Sequence, residues 1–297
     1  MKIGYPCINR SVDCTANGTF RLKSYSEKRL VETVGKNLAC LKKILCYNIE
    51  HSMLFLRISS DIIPFASHPI CAVNWKKYFS QEFKALGALI KKHSIRISMH
   101  PDQFTILNAK ERRIIDNSIR ELRYHAAVLD SMGLDTTAKV QVHVGGVYGD
   151  KKESMRRFIE HYNKLETIIS RRLVIENDDR LYSLKDCCAI HEQTGIPVLF
   201  DVFHHSILNN KETVPAALSR AAATWQKSDG IPMIDYSSQE KNERNGKHVR
   251  SIDIRDFKRF LKLSRNHDFD CMLEIKDKER SALKAVTAAV KDPRFSG

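Results

Sequence analysis

The sequence PVLFD (residues 197–201) consists of four apolar residues followed by one carboxylate. Two other runs, MLFLRIS (residues 53–59) and VQVHV (residues 140–144), are also nearly continuous apolar segments. Parallel strands in α/β proteins have this pattern because helices cover both faces of the sheet. We therefore predict that these runs are buried parallel strands.

Short runs of this kind recur eight times along the chain, and a segment with apolar residues at helical spacing follows each run. In the first such segment, Leu30, Val34 and Leu38 lie four residues apart, as on one face of a helix. Eight strand–helix alternations within 297 residues favour a closed (β/α)8 TIM barrel over an open doubly wound sheet. The predicted strands are Lys2–Tyr5, Met53–Ser59, Ile95–His100, Lys139–Val144, Arg172–Glu176, Pro197–Asp201, Pro232–Tyr236 and Asp270–Ile275.

The helical segments also carry end signals. Ser183 and Ser251 are predicted N-caps, and Gly133 and Gly195 are predicted helix stops. The fingerprint GxGxxG is absent after the first strand, which argues against a dinucleotide-binding fold. The predicted helices are Ser26–Asn48, Trp75–His93, Arg112–Met132, Lys151–Ser170, Leu184–Glu192, Val214–Gln226, Ile254–Ser264 and Arg280–Val290.

The chain shows no linker, repeat or low-complexity run, so we predict a single TIM-barrel domain over residues 1–297. Its most polar segment, Ser237–Lys247, is predicted to be an exposed loop. No apolar run approaches the roughly 20 residues that span a bilayer, and the N-terminus lacks the apolar stretch of a secretory signal. We therefore predict no membrane contact and a cytoplasmic location, associated with the nucleoid if the cell is prokaryotic.

The chain is strongly basic, with 49 Lys and Arg against 35 Asp and Glu and a net charge of +14. Such an excess favours a polyanionic partner, because each cation that neutralises a phosphate releases a condensed counterion. A protein that is basic only for solubility has the same composition. The charge therefore favours nucleic acid as the partner without excluding that alternative.

The eight cysteines do not form a recognisable framework. No pair has the CxxC spacing, and Cys187 and Cys188 are neighbours in a predicted helix. We therefore expect reduced thiols, most of them buried as small apolar residues.

Six of the predicted strands end in, or carry near their end, a residue that can bind a metal ion. In a barrel these ends converge on one rim, where the active sites of this fold lie. Carboxylates crowded there would raise one another's pKa unless cations lay between them. The candidate ligands are His100, His143, Glu176, Asp201, Asp235 and Glu274 at the strands, with His204 and His248 in the loops that follow.

Histidine mixed with carboxylate, without cysteine, indicates a hard or borderline divalent ion such as Mn²⁺ or Zn²⁺. Eight candidate ligands are too many for one ion, so we predict two or three, with Glu176 as the bridge. A lone strand-end carboxylate is often only a helix cap, but independent caps explain six barrel ends poorly. His205 is expected to be structural. Histidines within or beside helices are assigned no role, namely His51, His93, His125, His161 and His191.

Clustered divalent ions on a basic protein suit phosphodiester hydrolysis, since one activates water and another stabilises the leaving 3′ oxygen. The same cluster also suits a sugar isomerase or epimerase, which would not require a basic surface. A non-catalytic DNA-binding module is a third alternative, but it predicts a degraded ligand set.

Eight motifs occur in order along the chain: GYPCIN (4–9), FASHP (65–69), ISMHPDQF (97–104), VQVHVGG (140–146), VIENDDR (174–180), FDVFHH (200–205), YSSQ (236–239) and MLEIKDKE (272–279). In this order and register they resemble the UV damage endonuclease family, a TIM-barrel relative of endonuclease IV. The resemblance covers about residues 3–284. It implies a metal-dependent endonuclease for DNA repair that acts on double-stranded DNA without an obligate protein partner.

Family members incise DNA immediately 5′ of cyclobutane dimers, 6-4 photoproducts and, in many cases, abasic sites, and leave a 3′-hydroxyl and a 5′-phosphate. They hold up to three metal ions, usually with manganese as the active one; Zn²⁺, Mg²⁺ and Co²⁺ are alternatives here. The resemblance implies one set of metal ligands, all among those derived from the strand ends: His100, His143, Glu176, Asp201, His204, His248 and Glu274.

The resemblance also implies roles in lesion recognition. The family inserts a Gln-Tyr pair at the lesion, and the pair here is Gln103-Phe104, which keeps the apolar wedge and loses the hydroxyl. Tyr5, Asn9 and His68 match positions that line the DNA and catalytic pocket. Tyr5 and His68 are thus expected to act in catalysis with Glu176, and Asn9 to bind DNA.

This chain departs from the family pattern on the seventh strand. Better-known members carry a modified lysine and a histidine there, where this chain has Met233 and Asp235. Methionine cannot be carboxylated, so any metal contact of that lysine is lost, whereas Asp235 can still offer an oxygen. The departure affects the expected number of ions and the range of lesions. Four cations near the proposed rim are candidates for DNA contacts: Arg10, Arg180, Lys276 and Lys278.

Overall fold

A computed structural model describes all residues from Met1 to Gly297. Eight parallel strands pair in sequence order, and the eighth strand pairs with the first, so the sheet closes into a barrel. Helices lie between the strands, as the sequence predicts for a (β/α)8 fold. The strands are β1 (Ile3–Pro6), β2 (Phe55–Ile58), β3 (Arg96–Met99), β4 (Lys139–His143), β5 (Leu173–Glu176), β6 (Val198–Asp201), β7 (Met233–Tyr236) and β8 (Asp270–Leu273).

Eleven helices surround the barrel, and their apolar faces pack against the outside of the strands. Two predicted helices are divided: Trp75–His93 breaks at Phe79, and Lys151–Ser170 breaks after Tyr162. No helix of the chain is both long and apolar enough to span a bilayer. The helices are α1 (Glu27–Glu50), α2 (Trp75–Tyr78), α3 (Ser80–Lys92), α4 (Arg112–Ser131), α5 (Lys151–Tyr162), α6 (Thr167–Ser170), α7 (Leu184–Thr194), α8 (Val202–Ile207), α9 (Val214–Ala222), α10 (Ile254–Leu263) and α11 (Glu279–Ala289).

Helix α7 begins and ends as predicted. Ser183 and Asp186 form a capping box at its start, and Gly195 ends it with a φ of 72°, in the left-handed region that favours glycine. The prediction of Ser251 as an N-cap is wrong. Asp253 caps α10 instead, because its carboxylate accepts hydrogen bonds from the amides of Arg255 and Asp256.

The interior of the barrel is layered because side chains alternate along a strand with a period of two residues. An apolar layer forms a buried cluster separate from the main core: Phe55, Val174, Leu199, Met233 and Met272. Two residues further along the chain from each of these lies a polar residue, one layer nearer the rim: Arg57, Glu176, Asp201, Asp235 and, just after β8, Glu274. Met233 therefore lies in the apolar layer beneath the polar one.

The expectation that all cysteines are reduced is wrong at one pair. Cys14 and Cys40 form a disulfide with Cα atoms 5.8 Å apart, and the other six cysteines are free. The bond joins the segment after β1 to helix α1 across 26 positions of sequence. Neither cysteine belongs to a local motif, and only the packing of that segment on α1 brings the two thiols together.

Candidate metal centre

Glu176 lies at the centre of the rim cluster, at the carboxyl end of β5, and is 1% exposed. Its Oε2 lies 3.6 Å from His100 Nε2 and 3.7 Å from His143 Nε2. Its Oε1 lies 3.3 Å from His204 Nδ1 on the opposite side. The carboxylate therefore lies between two sets of imidazoles, which is the position that a bridging ligand requires.

Backbone carbonyls orient several of these imidazoles. The Nδ1 atom of His100 lies 2.8 Å from the carbonyl oxygen of Pro101, and that of His204 lies 2.9 Å from the carbonyl oxygen of Asn177. Such bonds place a proton on Nδ1, and in His100 they leave Nε2, the atom that faces Glu176, free as a ligand atom. A backbone carbonyl also orients the predicted ligand His248, whose Nδ1 lies 2.8 Å from the carbonyl oxygen of Glu274.

Three groups of side chains place their ligand atoms within 4.8 Å of one another. The first group is His100, His143 and Glu176, and the second is Glu176, Asp201 and His204. Glu176 belongs to both groups, and its role as a bridge between two ions stays a prediction. The third group is Asp201, Asp235 and Glu274.

An unpaired polar atom shows that the second group fits a metal ion. Asp201 is fully buried, yet its Oδ2 has no hydrogen-bond partner and lies 3.6 Å from His204 Nδ1. A buried polar atom without a partner costs free energy, so such atoms are rare unless an ion or water satisfies them. Imidazole and carboxylate together form a donor set suited to Mn²⁺ or Zn²⁺.

The charges at the centre are strongly coupled. Burial alone would raise the pKa of Glu176, but the surrounding imidazoles outweigh it and hold the pKa well below its usual range. Burial raises the pKa of Asp201 to about 7, although His204 opposes the increase. Burial would lower the pKa of His204, but Asp201 and Glu176 outweigh it and raise the value to about 11. Without an ion, a proton on His204 therefore supplies the positive charge that these carboxylates need.

Asp235 and Glu274 differ from the other predicted ligands because a cation, Arg57, already contacts both of them. Arg57 Nη2 lies 2.7 Å from each carboxylate oxygen of Asp235, and Arg57 Nη1 donates to Glu274 Oε1. Gln141 Nε2 lies 2.7 Å from Glu176 Oε2 and 2.9 Å from Asp235 Oδ2. Burial would lower the pKa of Arg57, but the carboxylates of Asp235 and Glu274 outweigh it and raise the value.

His248 lies beside the centre but belongs to none of the three ligand groups. Its ring centroid lies 6.0 Å from that of His204, and a bridge to Gln239 fixes its backbone. The side chain is 25% exposed, so it faces the open part of the rim. His205 does not reach the centre: it is buried against Phe200, with Nε2 3.3 Å from the carbonyl oxygen of Glu212.

The loop after β3 presents the predicted lesion probe. Gln103 is exposed, and Phe104 is 73% exposed, the largest exposed fraction among the large hydrophobic side chains. Phe104 and His68 line the same open cleft of about 580 Å³, although they come from the loops after β3 and β2. The structure therefore brings these two residues together beside the strand ends.

Tyr5 and Asn9 lie below the surface. The Tyr5 hydroxyl donates to Asn48 Oδ1 at 2.6 Å and accepts from Asn9 Nδ2 at 2.7 Å, and both Tyr5 and Asn9 are buried. Burial raises the pKa of the Tyr5 phenol above its usual value. The Asn9 carboxamide also accepts from the amides of Ser11 and Val12, which folds the loop after β1.

Three residues of the centre were not predicted from the sequence: Arg57, Gln141 and Asn177. Asn177 joins the ends of β5 and β6, because its side chain bonds both the amide and the carbonyl oxygen of Asp201. Gln141 lies between two valines of β4, and Arg57 lies within the otherwise apolar β2. A polar residue inside such a run was the available signal, since a buried strand rarely carries one without a partner.

Histidines and carboxylates lie together at the carboxyl rim of this closed (β/α)8 barrel. The chain is therefore a barrel protein with a candidate metal centre at that rim. The chain matches the family described as "UV-endonuclease UvdE" over residues 1–292. It therefore belongs to that family, and the membership supports the prediction of a DNA repair endonuclease.

A relative and two solved structures illustrate the range of similarity. The chain is 37% identical over 290 residues to a UV DNA damage endonuclease of Clostridium perfringens (strain 13 / Type A), covering 97% of this chain and 70% of the relative. The crystal structure of SacUVDE superposes with a TM-score of 0.94 at 50% identity and covers 98% of each chain. D-Psicose 3-epimerase of Clostridium cellulolyticum H10 has a TM-score of 0.56 at 13% identity, with 86% and 93% covered, and it shares the fold alone.

Proposed function

We propose that the chain incises one strand of double-stranded DNA immediately 5′ of UV photoproducts, namely cyclobutane dimers and 6-4 photoproducts. Incision by phosphodiester hydrolysis leaves a 3′-hydroxyl and a 5′-phosphate. Abasic sites are a further candidate substrate. The cofactor we propose is a set of two or three divalent ions, with manganese as the active metal.

The observation that carries this proposal is the position of Glu176 between two groups of potential ligands. When bound, divalent ions would stabilise the negative charge that develops on the phosphate and on the leaving oxygen. Glu176 holds its carboxylate ionised for this purpose, because its pKa lies well below the usual range. Asn177 fixes the ends of β5 and β6, so Asp201 and Glu176 keep their separation when substrate binds.

The rim loops support the DNA-binding part of the proposal. Phe104 is an exposed apolar ring on a loop, and in water such a ring gains from insertion between unstacked bases. His68 lies in the same cleft, so we assign it contact with the displaced nucleotides or the scissile phosphate. The net charge of +14 favours a polyanionic substrate.

We propose a supporting role for Tyr5 and Asn9. Because the Tyr5 hydroxyl is bonded on both sides, it holds the Asn9 loop in place in the free protein. Direct contact of either residue with DNA or with the reacting phosphate stays a prediction. Arg10 and Arg180 are exposed near the strand ends and are candidates for backbone phosphate contacts.

Activity as a sugar epimerase is the alternative that the barrel alone permits. The similarity to D-psicose 3-epimerase, at 13% identity, supports only the fold, whereas the match to the UV-endonuclease family extends over residues 1–292. The exposed Phe104 also has no role in a closed sugar pocket. These observations favour the endonuclease.

The test is incision of a defined lesion. Protein stripped of metal and reloaded with Mn²⁺ is incubated with a 5′-labelled duplex that contains one thymine dimer, and with the same duplex undamaged. We expect a single product that ends at the phosphodiester 5′ of the dimer, dependent on Mn²⁺. Equal cleavage of both duplexes, or no cleavage by protein with verified metal content, would refute the proposal.

A further inference from the structure

The third group of potential ligands already contains a cation, the guanidinium of Arg57. Arg57 is 3% exposed, and it contacts both oxygens of Asp235 as well as Glu274 Oε1. An arginine side chain stays protonated at any working pH and cannot be neutralised to make room for an ion. Its positive charge therefore stands where a third metal ion would bind.

We infer that Arg57 replaces a metal ion in the group formed by Asp201, Asp235 and Glu274, so that the centre holds two metal ions and no third. The inference rests on the proposed metal centre and specifies its composition. Asp235 then serves as the partner of Arg57 and not as a metal ligand.

The hydrogen bonds at Asp235 support this assignment. Its Oδ2 accepts from both Arg57 and Gln141, and its Oδ1 accepts from Arg57. Asp235 is completely buried, so no solvent is available to replace these donors if Arg57 moves. Displacement of the guanidinium by an ion would deprive the buried Arg57 of both of its carboxylate partners, which is strongly unfavourable. By contrast, Asp201 Oδ2 in the second group has no donor and is available to an ion.

The experiment locates and counts manganese in the intact protein. Metal-free protein is reloaded with excess Mn²⁺ and desalted, its manganese is counted by mass spectrometry, and crystals are used to collect anomalous diffraction. We expect two ions per chain, at the first two ligand groups, with no peak between Asp235 and Glu274. A manganese peak at that position, with Arg57 turned away, would overturn the inference.

Two variants separate the role of Arg57 from a general effect of a buried arginine. Arg57→Met removes the cation, and we expect a third ion at the freed carboxylates, so the count rises from two to three. Arg172→Met is the matched control. Arg172 is 1% exposed and bonds Asp130 and backbone carbonyls at the opposite end of β5, so the count should stay at two. Folded Arg57→Met protein that still holds only two ions would count against the inference.

If Arg57→Met does not fold, the wild-type crystals still test the inference. They also distinguish failure of this inference from failure of the proposed function. Peaks at the first two groups together with a third peak would overturn only the role of Arg57. Absence of manganese from all three groups would overturn the metal centre itself, and this inference with it.

Discussion

His143 and Glu176 are register partners on the adjacent strands β4 and β5, and His143 Nε2 lies 3.7 Å from Glu176 Oε2. Because neighbouring parallel strands are hydrogen-bonded in this register, the backbone itself sets the separation of the two side chains. Burial lowers the pKa of His143, which keeps the imidazole neutral and able to ligate an ion. The pair is thus positioned by the sheet and not by a loop.

Replacement of Glu176 by Gln should abolish incision and leave much of the binding to damaged DNA. The carboxamide keeps the shape but loses the charge shared between two ligand groups, so we expect the rate to fall by more than about a hundredfold. Binding should persist because phosphate contacts and the wedge provide most of the affinity. Single-turnover incision and fluorescence anisotropy measure the two properties.

The control for this variant is Glu166→Gln. Glu166 is exposed and pairs with Arg123 on the outer surface, so its loss should leave both properties unchanged. A Glu176→Gln protein that is folded by circular dichroism but has lost DNA binding as well would contradict this division of roles.

The barrel and most of the candidate ligands were predictable from the sequence because they depend on local pattern and on one geometric rule. Apolar runs of four or five residues identify strands, and the ends of parallel strands meet at one rim. His100, Glu176 and Asp201 could therefore be brought together without knowledge of the loops.

Arg57 and the disulfide were not predictable by the same reasoning. Whether Arg57 faces the barrel interior depends on the strand register, which a shift of one residue reverses. The pairing of Cys14 with Cys40 depends on where an irregular segment lies on α1, and no periodic pattern determines that. The buried position of the Tyr5 hydroxyl likewise follows from its contact with Asn48, 43 residues away in sequence.

Metal affinity should increase with pH. In the metal-free protein the pKa of His204 is about 11, so over the neutral range an ion must displace a proton there. Asp201, with a pKa of about 7, contributes a second proton below neutral pH, since it is then largely protonated. The affinity for Mn²⁺ should therefore rise about tenfold per pH unit above pH 7, and more steeply below it.

Isothermal titration in buffers of different ionisation enthalpy measures the protons released directly. We expect close to one proton per ion bound at the second ligand group at pH 8, and more at pH 6. The variant His204→Gln removes the main proton source, so its release should decrease. An affinity for Mn²⁺ that does not change between pH 6 and pH 8 would contradict these charge assignments.

Replacement of Phe104 by Ala should reduce discrimination between damaged and intact duplex. Loss of a ring that stacks with bases costs about 1–3 kcal/mol, a factor of roughly 5 to 150 in affinity for the lesion. The rate of hydrolysis on pre-bound lesion should change less, because Phe104 contributes no ligand atom. Competitive binding with both duplexes, followed by single-turnover incision, measures the two effects.

Leu263→Ala is the matched control, since Leu263 is 50% exposed at the end of α10. It removes a comparable apolar side chain at the other end of the barrel and should leave discrimination unchanged. Equal losses of discrimination and of hydrolysis in Phe104→Ala would instead indicate that the ring has a packing role.

Removal of the Cys14–Cys40 disulfide should lower stability while leaving the centre assembled. The bond closes a loop of 26 positions, and in the chain-entropy account its loss costs about 2–4 kcal/mol of unfolding free energy. The double variant Cys14→Ala, Cys40→Ala should therefore unfold at a lower urea concentration than the oxidised wild type. Cys46→Ala, which removes an exposed free thiol, should not.

A reducing agent gives an independent measure of the same bond. It should shift the urea midpoint of the wild type towards that of the double variant and should have no effect on the double variant itself. Manganese content should stay the same in all of these proteins, because neither cysteine belongs to a ligand group. If reduction left the wild-type midpoint unchanged, the two cysteines would not be joined in the folded protein.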